Sequence, residues 1–405
     1  MKVFRRICLV ILLLVVGTVI GLGGSYLYYQ RVIQPQEHER YEKKLKDLQD
    51  QYEKELKKAQ AAKKMREKMG TSSVDLLSAN QEAVIENFLK SNHFIGTVLL
   101  YKNDRIIFQR GYGYADYQAK KWNNPDSLYQ WASLQKSLTA VLIMKCAEEG
   151  KLRLDDPLSK YYPSILGSSS ITLRQMLDMK SGLKLKRPLS TKDNQDILTF
   201  DIENAFVDPD KIGNSEYQSV NYVLLAGILQ KVNQENYYEY LKDKIFTPLH
   251  VKHFGFNTLS PNSKMNKMVS YRSPLNDLDS YANPVTISPD SFIKELGTGN
   301  IYSTAQTLLE TQLGILQGKI ISKDDLNALR DSADGYYGGG VYNFSDHFFA
   351  HGLIVGYESE MYITNDGHNA VIAMSNRSFP APSFTKAYNF TTDLYQKMME
   401  DFPTE

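Results

Sequence analysis

Two stretches of alternating sequence lie near opposite ends of this chain, and they constrain its fold more than any other feature. Gly96–Tyr101 and Arg105–Tyr112 alternate around Lys102-Asn103-Asp104, and Glu360–Thr364 and Asn369–Ser375 alternate around Asn365-Asp366-Gly367. Each pair reads as a hairpin. A helical pattern over Ala79–Asn92 precedes the first pair, and another through Tyr388–Met399 follows the second. Mostly helical and irregular segments fill about Leu134–Leu329. The expectation is an α/β (α+β) domain over 78–405. Its central antiparallel sheet comes from both chain ends, is flanked by helices, and encloses an inserted, mainly helical lobe.

Composition narrows the class. Of 405 residues, 42% are hydrophobic and 23% charged, enough to bury a sizeable core, which excludes a disordered or collagen-like chain. The net charge of +1 gives no reason to expect a nucleic-acid partner. Cys8, in an apolar run, and Cys146, in a helical pattern, exclude a disulfide framework and a cysteine-rich metal site.

The N-terminal region differs in character. Ile7–Tyr29 carries no charge and as a helix would span roughly 35 Å, enough for a bilayer. Lys2, Arg5 and Arg6 precede it, so the expectation over 1–30 is a cytoplasmic tip and an uncleaved single-pass signal anchor. The remainder would then be extracellular. Residues 31–77 are expected to form a helical stalk and linker. Apolar residues recur every three or four positions from Tyr41 to Met69, which suits either a solvated spacer helix or a coiled coil that makes a homodimer.

Chemistry enters through Ser-x-x-Lys, which begins at Ser133, Ser181, Ser291 and Ser383. Only Ser133 starts a segment, Leu134, Leu138, Val141, Leu142, with helical apolar spacing. That puts Ser133 in a first helical turn and Lys136 one turn on, within reach of its hydroxyl. A helix N-terminus favours developing negative charge, and a partly buried lysine beside a serine can act as its base.

The surrounding text resembles the serine β-lactamase and penicillin-binding-protein superfamily, in its class C-like and esterase branch. The resemblance rests on Gly111-Tyr-Gly-Tyr-Ala-Asp116, Leu128-Tyr-Gln-Trp-Ala-Ser-Leu-Gln-Lys-Ser-Leu-Thr-Ala140, Glu149–Pro157, Ile171–Leu177, Lys180-Ser-Gly-Leu183 and Gly297-Thr-Gly-Asn-Ile-Tyr-Ser-Thr304, and covers about residues 80–400. It implies a β-lactamase/transpeptidase-like fold with the site between sheet and helical lobe. It also implies Ser133 as nucleophile with Lys136, and Tyr217 as a proton shuttle. The family's Tyr-x-Asn reads Tyr217-Gln-Ser219 here, so Ser219 replaces the Asn that holds an acyl amide. The family's third motif, Lys-Thr-Gly or His-x-Gly, falls in Phe349-Ala-His-Gly-Leu-Ile-Val-Gly356. Without a gap its first residue is Ala350 and its glycine Gly352; with one deletion the histidine is His351. An oxyanion hole would combine the Ser133 N–H with one N–H of this strand.

Within that branch the sequence looks most like the D-alanyl-lipoteichoic acid esterases, relatives of teichoic-acid D-alanine hydrolases. The implied substrate is a teichoic acid or another cell-envelope polymer. The alternatives are a DD-carboxypeptidase acting on peptidoglycan stems and a catalytically idle wall-binding relative. No cofactor or metal is expected: His250-x-x-His253 and His347-x-x-x-His351 have metal-like spacing without a third ligand alongside. Asp193, Asp196, Asp201, Glu203, Asp208 and Asp210 suit a solvated loop, or an acidic rim for a cationic substrate.

Overall fold

The structure is a computed structural model that describes residues 74–190, 195–257, 269–274, 276–285, 292, 294–378 and 383–400, with scattered residues between 21 and 53. The chain divides into two units, Met1–Lys68 and Met69–Glu405, and the sheet and helices of the fold belong to the second. The single-pass anchor expected over Ile7–Tyr29, with its cytoplasmic tip and extracellular catalytic domain, requires correction. Among the described residues no helix is long and apolar enough to cross a membrane. A bilayer needs about 20 consecutive apolar residues, and those described within that span, Gly21, Leu22, Gly24 and Ser25, form no such run. Most of the expected anchor and of the 31–77 stalk lies outside the described residues.

The sheet joins both chain ends as the alternation requires. Its strands are β1 (Val74–Asp75), β2 (Gly96–Lys102), β3 (Arg105–Tyr112), β4 (Tyr336–Gly338), β5 (Val341–Asn343), β6 (His347–Ile354), β7 (Tyr357–Thr364) and β8 (Asn369–Ser375). Their order is β1-β3-β2-β8-β7-β6-β5-β4, antiparallel throughout. The seam between the chain ends runs from Asn369 opposite Lys102 to Met374 opposite Thr97.

Alternation along these strands splits the core into two layers. Leu99, Ala350, Met361, Ile363 and Ile372 face the inserted lobe. Val98, Leu100, Phe349, Tyr362, Val371 and Ala373 face the terminal helices α1 (Ala79–Ser91) and α6 (Phe384–Met399). Helix α1 begins with a Ser78–Gln81 capping box, and Ser383 caps α6. Arg110 of β3 pairs with Asp75, Glu82 and Glu86, tying the edge strand and α1 to the sheet.

The lobe is built on α2 (Lys136–Glu148), α3 (Val220–Asn233), α4 (Ala305–Leu316) and α5 (Lys323–Arg330). Helix α2 is buried almost all round, with Leu138, Ala140, Val141, Leu142, Ile143 and Cys146 in the core. Apolar character around a whole helix marks a central one. Cys146 is a free, buried thiol beside the Tyr240 hydroxyl, and Cys8 lies outside the described residues.

The described acidic residues of 193–210 include several with local roles. Asp196 caps the helix Ile197–Asn204, Asp208 pairs with Lys184, and Asp193 lies outside the described residues. Asp201 is 1% exposed, and its Oδ1 has no hydrogen-bond partner. Burial raises its carboxyl to about 7. A carboxyl whose folded value is raised favours the protonated form, so stability falls as pH climbs from about 4 towards 7. The rise is worth on the order of 4 kcal/mol at most. Asp201→Asn should therefore match the wild type in thermal midpoint near pH 4 and exceed it by several degrees at pH 8. A difference that stays flat between those pH values would contradict the assignment.

Candidate active site

The segment Leu128–Ala140 does not start as one continuous α-helix. Ala132–Gln135 forms a 3-10 turn, and α2 follows from Lys136. Ala132 enters that turn at φ +49, a left-handed conformation that costs a residue bearing a Cβ about 1 kcal/mol. Gln135 holds the turn: its Oε1 accepts from the N–H groups of Asn300 (2.7 Å) and Ile301 (3.0 Å), and its Nε2 donates to the Tyr237 hydroxyl. Trp131 Nε1 donates to Ser303 Oγ at 2.6 Å. Two sequence-distant pieces, 128–136 and 297–304, thus brace the serine from both sides.

Lys136 lies beneath Ser133, 1% exposed. Its Nζ donates to Ser133 Oγ at 3.1 Å and to the Thr298 carbonyl at 3.4 Å. No carboxylate pairs with it among the described residues. The same ammonium lies 5.2 Å from the Tyr217 ring centroid, and that ring meets Tyr337 edge-on at 5.4 Å. Ser133, Tyr217, Tyr337, Gly340, Tyr342, Ala350, His351, Leu353 and Phe384 line a cavity of about 230 Å³. Tyr217 is 41% exposed at its mouth.

The cavity runs along β6 where that strand loses its outer partner. Strand β5 pairs only as far as Phe349, so among the described residues the β6 edge from Ala350 onward is unpaired. Gly352 lies where this edge meets the serine turn. A Cβ there would lie 2.4 Å from the Trp131 carbonyl oxygen and 2.9 Å from the Ser133 nitrogen, so a side chain would force the strand away. Gly340 makes a second close approach, at φ +90, against the backbone of Ser137.

Alternation then fixes the neighbours of Gly352. Ala350 shares its face and packs in the lobe-side core, whereas His351 takes the opposite face. His351 Nε2 is 2.9 Å from Glu358 Oε1, and His351 stands directly across from Glu360 in the β6–β7 register. Ala350 and Gly352 thus lie on one face and His351 on the other, beside the same edge.

Ser133, Tyr217 and His351 therefore line one cavity, and Lys136 and Gly352 lie against Ser133. Ser219 is left out. It is exposed at the start of α3, makes no side-chain cap bond and is not among the cavity's lining residues. The other Ser-x-x-Lys serines fall elsewhere: Ser181 donates to Asn221 in the lobe and Ser383 caps α6, while Ser291 lies outside the described residues. His347 is a packing residue stacked on Phe344 and Tyr362. Sequence reading missed Glu358 and Glu360, whose carboxylates lie with His351 on one sheet face, both 8% exposed. Burial and the neighbouring Glu358 push the Glu360 carboxyl well above the ordinary range. The alternation Tyr357-Glu-Ser-Glu-Met361 carried that signal, but only register reveals His351 as their partner.

The beta-lactamase family model matches residues 82–396. The chain belongs to the beta-lactamase family. Bacillus subtilis PbpX, a protein provisionally named a penicillin-binding protein, is 30% identical over 328 residues, covering 80% of this chain and 79% of its own. The teichoic acid D-alanine hydrolase of Staphylococcus aureus is 29% identical over 246 residues, 60% of each chain. The crystal structure of FmtA from Staphylococcus aureus superposes with a TM-score of 0.69 at 24% identity, covering 83% of this chain and 94% of that one, a likeness of fold. This beta-lactamase-family chain is a serine hydrolase.

The Gly352 contact makes a direct prediction for that hydrolase. Gly352→Ala should cut turnover of an activated ester such as p-nitrophenyl acetate by about 100-fold or more, since small displacements of a reacting group cost that much. Circular dichroism should still report a folded protein. Turnover within a few-fold of wild type would show that the approach of β6 to the serine turn does not matter.

Proposed function

We propose that this hydrolase removes D-alanyl esters from teichoic-acid-type polymers through an acyl-enzyme on Ser133. The observation that carries the reading is the 3.1 Å contact between Lys136 Nζ and Ser133 Oγ at the wall of an open cavity. In the proposed path Ser133 Oγ attacks the ester carbonyl, and its proton passes to the Lys136–Tyr217 pair. That pair returns a proton to the departing polymer hydroxyl. Water then attacks the acyl-enzyme and frees D-alanine and Ser133. The Ser133 N–H and an N–H from the open β6 edge would take up the charge on the carbonyl oxygen.

Two features favour an ester over a peptide amide. Ser219 occupies the position where related enzymes hold an acyl amide, yet it is exposed and outside the cavity lining. Ala350, on the lobe face two residues before Gly352, offers no group to bind a substrate carboxylate. An ester is also easier to cleave and needs fewer groups holding the acyl part. The similarity to the teichoic acid D-alanine hydrolase supports the same substrate class. The similarity to PbpX favours a second reading, a carboxypeptidase acting on peptidoglycan stem peptides.

The two separate in one assay. Full-length protein and its Ser133→Ala variant are incubated with D-alanylated lipoteichoic acid and with a stem pentapeptide, and free D-alanine is quantified. Release from the polymer alone, falling about 1,000-fold or more in Ser133→Ala with little change in thermal midpoint, is expected. Release from the peptide alone would replace the esterase by the carboxypeptidase. Release from neither would leave a wall-binding protein.

A further inference from the structure

Acyl transfer through Ser133 makes no use of the most unusual cluster near the cavity, His351 with Glu358 and Glu360. One ligand atom from each lies within 4.8 Å of the other two. His351 and Glu360 are direct cross-strand partners, and Glu358 stands two residues along the same face of β7. Because β7 is hydrogen-bonded on both sides, by β6 and by β8, the three side chains spring from a stiff platform. Glu358 and Glu360 are both more than nine-tenths buried. Among the described residues, His351 alone engages them, through Glu358, and Glu360 Oε2 is buried with no hydrogen-bond partner. Two carboxylates held side by side at low dielectric, with one imidazole beside them, are stable together when one takes up a proton or a cation joins them.

We propose that His351, Glu358 and Glu360 bind one divalent transition-metal ion of the Zn²⁺ or Mn²⁺ kind in the wall of the reaction cavity. One imidazole nitrogen and two carboxylate oxygens suit such ions, which accept mixed N/O donors at about 2.0–2.2 Å. Mg²⁺ and Ca²⁺ prefer six or more oxygens and fit poorly. Three protein ligands leave a coordination position open, the pattern of sites that also bind water or a substrate oxygen. Two carboxylates and a neutral imidazole balance the ion's charge. His351 itself lines the cavity that holds Ser133, and no Lys or Arg is among that cavity's lining residues. An ion here would add positive charge, beyond the Lys136 ammonium beside Ser133, to a pocket walled mainly by aromatic and small side chains. The site does not depend on which acyl polymer the enzyme cleaves.

The test is binding, independent of turnover. Full-length untagged protein is stripped with a chelator, dialysed and titrated with Zn²⁺ by calorimetry, with Co²⁺ absorption as a second readout. Wild type should take up one ion per chain at this site, with a rise in thermal midpoint on saturation. Glu360→Gln, close in shape, and His351→Ala should each weaken that binding at least 10-fold and abolish the rise, with metal-free midpoints reporting that both still fold. A His250→Ala/His253→Ala variant, altering the other close histidine pair, should bind as wild type does. Absence of saturable binding in the wild type would overturn the proposal. So would binding by Glu360→Gln as tight as wild type, or a loss confined to the His250/His253 variant.

Discussion

Everything at this site depends on how closely one strand approaches one turn. Gly352 lets the backbone of β6 lie against Trp131 and Ser133, at a distance any side chain would prevent. That contact joins an edge built near the chain's C-terminus to a serine carried by the turn that leads into the central helix of the inserted lobe. Without it the sheet and the lobe could each pack well, yet the serine would have no strand beside it. The strained Ala132, the doubly engaged Gln135 and the buried Trp131 all hold the same turn in place. Backbone strain of this sort persists only where surrounding contacts over-determine it.

The lysine follows the same logic. Lys136 is one helical turn from Ser133, so sequence alone brings them near, but its burial comes from the tertiary fold. Thr298, from the segment 297–304, offers its carbonyl to the ammonium, and Tyr217 closes over it from before α3. The aromatic rings of Tyr217, Tyr337, Tyr342 and Phe384 then shape a cavity whose polar business is concentrated at Ser133 and along the β6 edge.

The fold was legible in the sequence wherever the signal was local. Both hairpins and both terminal helices occur close to where the alternation and the helical spacing placed them. Helix α2 begins later than expected because Ala132–Gln135 winds as a 3-10 turn, which apolar spacing cannot distinguish. Ser133 separated from its three Ser-x-x-Lys rivals by context, and the structure gives the described rivals other work. What stayed hidden needed register. The His351–Glu358–Glu360 cluster exists only because β6 and β7 pair as they do. Asp201 resembled its acidic neighbours in sequence, yet among the described ones packing buried it alone. The expected anchor was read from an uncharged run, and the described residues contain no helix that bears it out.

Trapping the intermediate tests the central claim most directly. Full-length protein mixed with D-alanylated lipoteichoic acid, quenched in acid within the first turnovers and digested for mass spectrometry, should carry one D-alanyl group on the peptide containing Ser133. Tyr217→Phe, if it slows hydrolysis of the acyl-enzyme, should accumulate more of it. D-alanine released with no acylated Ser133 at any quench time, or an adduct on another residue, would contradict a Ser133 acyl-enzyme.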